Sequence, residues 1–253
     1  MHKVPEFAPV YFLEWQEGLD QEMLVSEGLK WLSAHPNGGR GILATEASHG
    51  LELVPKALAK ALDSIHTKNR GATPSAAGRP ILVMFPLREL LLKLTSRQLQ
   101  RAAAVCVLTY GATDVPFLNH WLDRMGAENL ATGDKRTVTE RSALDPVVEA
   151  AFISLRDSLL GHLTGPQHDY DPNGITTMLE LQRRGHELDA DKLAAWASVQ
   201  GYSEHEITDF IDHVAKVRRG HRYTKKTIGT WTPNYARWVE LAGSREGQEV
   251  VTP

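Results

Sequence analysis

The chain reads as an α/β protein: a mostly parallel sheet of three to four strands flanked by helices, then a small three-helix bundle and a C-terminal arm. Three observations predict this. Two apolar, β-branched runs, Ile81–Phe85 and Ala104–Tyr110, are bounded by Pro80, Pro86 and Gly111, the pattern of strands buried on both faces. Between them Leu87, Leu90, Leu91 and Leu94 recur at helical spacing, which makes a strand–helix–strand unit with a right-handed crossover. On either side, further strand-like and helix-like segments alternate, the signature of a parallel sheet.

In chain order, residues 1–20 carry Phe7, Tyr11, Phe12 and Trp15 among prolines and acids, and read as extended and irregular. Met23, Leu24, Leu29, Trp31 and Leu32 mark a helix from Gln21 that ends at the turn-forming His35–Gly39. Gly41–Thr45 reads as a short strand. Leu51, Leu53, Val54, Ala57, Leu58, Ala61 and Leu62 follow as an amphipathic helix, with Pro55 near its first turn. Residues 67–78 form a polar connection into the central unit. Beyond that unit, Val115, Leu118, Trp121, Leu122 and Met125 share one helical face, and Gly126 is the stop. Residues 127–132 read as a weaker fourth strand. A further helix starts at Asp145, with Pro146 at its first position.

Gly165–Gly174 is turn-forming, so the expected division is an α/β domain over 1–164, a linker over 165–173, a helical bundle over 174–220 and a basic-aromatic arm and tail over 221–253. The bundle's three helices stop at Gly185, Gly201 and Gly220, and Ser203 and Glu206 have capping-box spacing at the start of the third.

Composition narrows the function classes. With 42% hydrophobic and 23% charged residues the chain has ordinary globular make-up. No apolar run approaches the roughly 18–20 residues of a membrane span, and the N-terminus lacks a signal-peptide layout, so a soluble cytoplasmic protein without a membrane partner is expected. The single cysteine, Cys106, falls inside a core strand and reads as a buried thiol. The net charge of −3 is unevenly spread. Acids crowd the first thirty residues, whereas Lys216, Arg218, Arg219, Arg222, Lys225, Lys226 and Arg237 follow His213 with no acid before Glu240. Such asymmetry points to an anionic partner, or to the two ends meeting.

Two constellations carry the functional expectations. Tyr223, Trp231, Tyr235 and Trp238 interleave with the cations of the arm; cations seat phosphates and aromatics stack on bases. The leading expectation is therefore a binding or regulatory protein that contacts nucleic acid, or an acidic protein surface, through Arg218, Arg219, Arg222, Lys225, Lys226 and Trp231. The alternative is an enzyme with a small-molecule pocket where ligands bind in open parallel sheets, beyond the strands' carboxyl ends. There Glu46, Ser48, His49 and Asp114 are the candidates for acid–base or hydrolytic chemistry. Ser48 has no G-x-S-x-G elbow, and no phosphate-loop or dinucleotide fingerprint occurs, so no cofactor is implied. His162, His168, Asp169 and Asp171 lie close together, but their spacing is irregular and they read as a polar linker instead of a metal site.

Leu193–Asp212 resembles a helix-turn-helix unit, with Ala197 at the tight contact, Gly201 in the turn, and Ile207 and Phe210 as core positions of the second helix. The would-be recognition helix carries Glu204, Glu206, Asp209 and Asp212, which phosphates repel. These helices are expected to be structural.

Overall fold

A parallel six-stranded sheet organises the first half of the chain, in the order β3-β2-β4-β5-β1-β6. Its strands are β1 Val10–Glu14, β2 Ile42–Thr45, β3 Asp63–His66, β4 Pro80–Met84, β5 Ala104–Thr109 and β6 Glu128–Asn129. The helices are α1 Gln21–Ala34, α2 Lys56–Ala61, α3 Arg88–Thr95, α4 Pro116–Arg124, α5 Pro146–Ser158, α6 Pro172–Arg183, α7 Ala190–Val199, α8 Glu204–Arg218 and α9 Tyr235–Glu246. This computed structural model describes residues 5–15, 20–46, 48–67, 73–95, 98–110, 115–158, 172–224 and 232–246. The chain divides into two compact units, Val4–Ser142 with Ala195–Glu204, and Met1–Lys3 with Ala143–Ala194 and His205–Pro253.

In the first unit β2, β4 and β5 are buried along their whole length, as their unbroken apolar runs require. Ala44, Val83 and Val107 stand in register across them, two residues on from Ile42, Ile81 and Val105. One face of the sheet presents Leu43, Leu82, Met84, Cys106 and Leu108 to Leu24, Val25 and Leu32 of α1 and to Val54 and Leu62 around α2. Gly28 brings α1 close to the strands: a Cβ there would lie 2.9 Å from Leu108 Cδ2, so the glycine offsets its helix-propensity cost with close packing. The other connections run in the opposite direction along the sheet. The chain steps from β1 to β2 to β3 one way, and from β4 to β5 to β6 the other. Right-handed crossovers therefore put α3 and α4 on the face opposite α1 and α2. The two helices are joined by a buried bond from Trp121 Nε1 to Thr95 Oγ1, 3.2 Å.

The sheet corrects the expected count of three to four strands. Val10–Glu14, read as irregular, is β1, inserted between β5 and β6 by pairing with partners 95 and more than a hundred residues away. Local pattern carries no trace of such pairing. Asp63–His66, read as the end of a helix and its exit, is β3. It is an edge strand in which only Ile65 is buried, and such polar edges lack the apolar run that marks a strand.

The second unit is helical. Asp145 caps α5, its Oδ1 accepting from the amides of Val147 at 2.8 Å and Val148 at 3.2 Å. Phe152 of α5 meets Phe210 of α8 edge to face, with centroids 5.0 Å apart. Gln182 at the end of α6 donates to the carbonyl of Val217 at 3.0 Å. α9 packs on α5 and contributes Trp238, which is 1% exposed. The stretch expected to be an arm thus contains a helix whose tryptophan belongs to the unit's core. Of the expected 165–173 linker, residues 165–171 lie outside the described part.

Candidate ligand site at the carboxyl edge of the sheet

All strands being parallel, their carboxyl ends share one edge, and the reversal of connection direction opens two crevices along it. One lies between β2, whose chain leaves toward the α1 face, and β4, whose chain leaves toward the α3 face. The other lies between β5 and β1, for the same reason. In open parallel sheets generally, side chains at these ends are the ones that meet a ligand.

Glu46 follows β2 directly and sits at the first crevice. Its Oε1 accepts the amide N–H of Leu87 at 2.5 Å, and its Oε2 accepts the hydroxyl of Thr67 at 2.5 Å. One carboxylate therefore ties the exits of β3 and β4, and each oxygen keeps a further lone pair. Beside it, the buried Thr45 hydroxyl is 2.8 Å from His66 Nδ1, and Lys93 Nζ donates to the His66 carbonyl at 2.8 Å. Burial, aided by the Lys93 ammonium, holds His66 below the ordinary imidazole value.

Phe85 leads from β4 toward the second crevice with φ of +50°, a left-handed conformation that is an outlier for a bulky residue. Its amide donates to the Leu108 carbonyl at 2.9 Å, and its ring stacks on Tyr110 with centroids 4.1 Å apart and planes 19° from parallel. The Tyr110 hydroxyl accepts from Gln21 Nε2, at the first turn of α1, at 2.6 Å. Tyr110 is 49% exposed and Leu87 56%, so an apolar ledge faces solvent here. Partial burial raises the Tyr110 phenol above its ordinary value. Beside α1, a cleft of about 480 Å³ runs from the end of β1 along the helix, lined by Leu13 of β1, Leu24, Trp31 and Ala34 of α1, and Leu130 after β6, with Glu14 and Lys30 among its polar groups.

Of the residues expected at this edge, Glu46 occupies the crevice as described. Ser48 begins a short 3-10 turn, Ser48–Leu53, with His49 next in it; only their backbone is described, and Asp114 lies outside the described residues. In the basic segment Arg218, Arg219 and Arg222 are exposed, around Gly220, whose φ of +72° ends α8. Beside them His221 meets Tyr223 edge to face at 4.8 Å, and Tyr223 lies 3.1 Å from His213 Nδ1. Lys225, Lys226 and Trp231 lie outside the described residues, as do His162, His168, Asp169 and Asp171. Among the described residues, no group of three or more His, Cys, Asp or Glu is placed to hold a metal ion, and no helix is long and apolar enough to cross a membrane. Cys106 is fully buried, and burial pushes its thiol far up. Thr67, Phe85, Leu87 and Gln21 were not legible as site residues. The one local signal was Phe85 itself, an aromatic placed between a strand and Pro86, where the chain must turn.

Fold and edge together define an open parallel α/β protein with helices on both faces and two direction reversals along the carboxyl edge of its sheet. A protein family described as a domain of unknown function, DUF1889, matches residues 144–239, which lie almost wholly in the helical unit. No curated protein matches the chain.

The His66 environment sets a pH dependence. A depressed folded-state value means that the folded protein favours the neutral ring, so this contribution to stability is present above the unfolded value, near 6.5, and is lost as pH falls through the folded value. Denaturant unfolding should therefore show stability falling below about pH 6.5, and His66→Asn should flatten that fall. An unchanged slope in the variant would contradict the assignment.

Proposed function

We propose that the protein binds a small organic molecule at the carboxyl edge of its sheet, one with a flat ring and hydroxyl or amino donors. The observation that carries this reading is Phe85: a phenylalanine held at positive φ, stacked on a half-exposed tyrosine, between the two crevices. A left-handed bulky residue costs about 1–3 kcal/mol, and such strain gathers at ligand sites. The Phe85–Tyr110 pair offers a ring a surface to stack on, Glu46 accepts from a donor on it, and the neighbouring cleft falls within the usual volume of small-molecule sites. Glu46, Ser48, His49 and Asp114 are the groups through which the same edge would do acid–base work.

Thermal unfolding with adenosine, uridine and, as a ringless polyol, sorbitol tests the reading. A ring-bearing compound at about a hundred times its Kd should stabilise the protein by about 2.7 kcal/mol. Tyr110→Ala and Glu46→Gln should each cut that shift, while sorbitol should give none. If neither nucleoside shifts the midpoint, or both variants respond as the wild type does, the reading fails.

A second reading rests on a separate observation, the exposed Arg218, Arg219 and Arg222 beside Tyr223 and His221 at the end of α8. Lys225, Lys226 and Trp231 follow them in sequence, and interleaved cations and aromatics of this kind suit single-stranded nucleic acid. Each phosphate contacted adds about 0.7 to the magnitude of the salt slope of single-strand binding, so replacing Arg218, Arg219 and Arg222 together by alanine should lower it by about 2. Retention on single-stranded DNA that is insensitive to salt would rule this out.

A further inference from the structure

We infer that Tyr235 is an activated nucleophile, held against an Asp145–His186 pair, that accepts an acyl group from an activated ester. The three residues come from distant parts of the helical unit. Asp145 is the cap of α5, His186 leaves the end of α6, and Tyr235 opens α9. Asp145 Oδ2 lies 2.9 Å from His186 Nδ1, and His186 Nε2 lies 2.9 Å from the Tyr235 hydroxyl. Carboxylate, imidazole and hydroxyl thus stand in line, the arrangement that makes a hydroxyl nucleophilic in acyl transfer.

Proton positions follow from the chemistry of the ends. Burial works to raise the Asp145 carboxyl, but the hydrogen bonds from His186 and from the Val148 and Val147 amides outweigh it and hold the group below its ordinary value. The carboxylate is ionised and only accepts, so the proton on the neutral ring is at Nδ1. Nε2 then carries a lone pair toward Tyr235, and the phenol must be the donor. A base is in place on the phenolic proton. The Arg184 guanidinium lies over the Tyr235 ring, 4.4 Å from its centroid, where its attraction grows as negative charge develops on the oxygen.

Each member is fixed by its own element. Gly185, with φ of +86°, turns the chain at the end of α6, and the His186 amide closes that turn on the Leu181 carbonyl at 3.1 Å. Asn234 Oδ1 accepts from the Arg237 amide at 3.2 Å to cap α9, and the buried Trp238 anchors the helix one turn on. Tyr235 itself is half-buried. In the proposed step its oxygen attacks the acyl carbon while the phenolic proton passes to His186 Nε2. The new O–C bond forms as the ester C–O bond breaks, and the departing oxygen takes the proton from Nε2. Asp145 steadies the imidazolium between the two transfers. It is a positioning residue, since it acts only through His186.

The test uses the whole chain and p-nitrophenyl acetate, with acetylation of each tyrosine read by peptide mass spectrometry. Tyr110, half-exposed and not paired with a base, is the internal reference. Tyr235 should be acetylated at least about a hundredfold faster than Tyr110, the lower end of what a positioned base contributes. Asp145→Asn separates chemistry from structure. Its Oδ1 keeps the two amide bonds that cap α5, but its amino group faces Nδ1, which moves the ring proton to Nε2 and aims it at the phenol. That variant should keep the wild-type unfolding midpoint, show the exchanged tautomer in the nitrogen NMR spectrum of His186, and drop Tyr235 to the Tyr110 rate. Should it not fold, His186→Gln is read by its unfolding midpoint and its Tyr235 rate alone. Tyr235 reacting no faster than Tyr110 in the wild type, or keeping its rate in either variant, would overturn the proposal and leave the three residues as a tie between α5, α6 and α9.

Discussion

The structure depends on one constraint: β2, β4 and β5 are parallel and buried on both faces. Their backbones can be satisfied only by neighbours in the same sheet, and parallel neighbours can be joined only by crossovers. Both faces must then be covered, so the chain has to step in one direction to lay α1 and α2 on one side and in the other to lay α3 and α4 on the second. The two reversals, and the crevices they open at the carboxyl edge, are consequences of that burial. Glu46, Phe85 and Tyr110 stand at this edge because they are the residues that immediately follow β2, β4 and β5.

The polar interactions at the edge join what the reversals separate. Two chain exits meet on the Glu46 carboxylate, and the Gln21 amide links α1 to the aromatic pair that follows β4 and β5. None of these bonds is deep in the core, so their contribution to stability is modest beside that of the apolar face built on Leu43, Leu82, Cys106 and Leu108. What they supply is position. A stacked pair of rings and a carboxylate held from two sides keep one geometry in the absence of ligand, which reduces what ordering would cost on binding.

How much was legible in the sequence follows from the same physics. Strands β2, β4 and β5 announce themselves because burial on both faces demands unbroken apolar residues, and α4 and α5 because Gly126 and Pro146 mark where they end and begin. Edge positions make no such demand, so β3, with one buried residue, looks like an exit from a helix, and two-residue β6 is little more than a bridge. β1 is half-alternating, and its pairing with β5 spans more of the chain than any local pattern reaches. Glu46 could be nominated because it follows a recognisable strand; Thr67 could not, because the strand before it was invisible. Asp145, His186 and Tyr235 are ordinary residues at ordinary helix ends, and only the packing of α5, α6 and α9 brings them into line. Trp238 shows the reverse case. In sequence it stands among the interleaved cations and aromatics of the arm, beside Arg237 and Tyr235, and the helical period places it in the core.

The carboxyl edge is where the proposed ligand would bind, and backbone-amide NMR reads that directly. When a mixture of ring-bearing fragments is titrated into the uniformly labelled protein, the shifts should concentrate at Glu46, Phe85, Leu87 and Tyr110 and at Gln21 on α1, with the amino ends of the same strands, around Ile42, Ile81 and Val105, unmoved. Fragments that bind but shift only residues away from this edge would contradict the account.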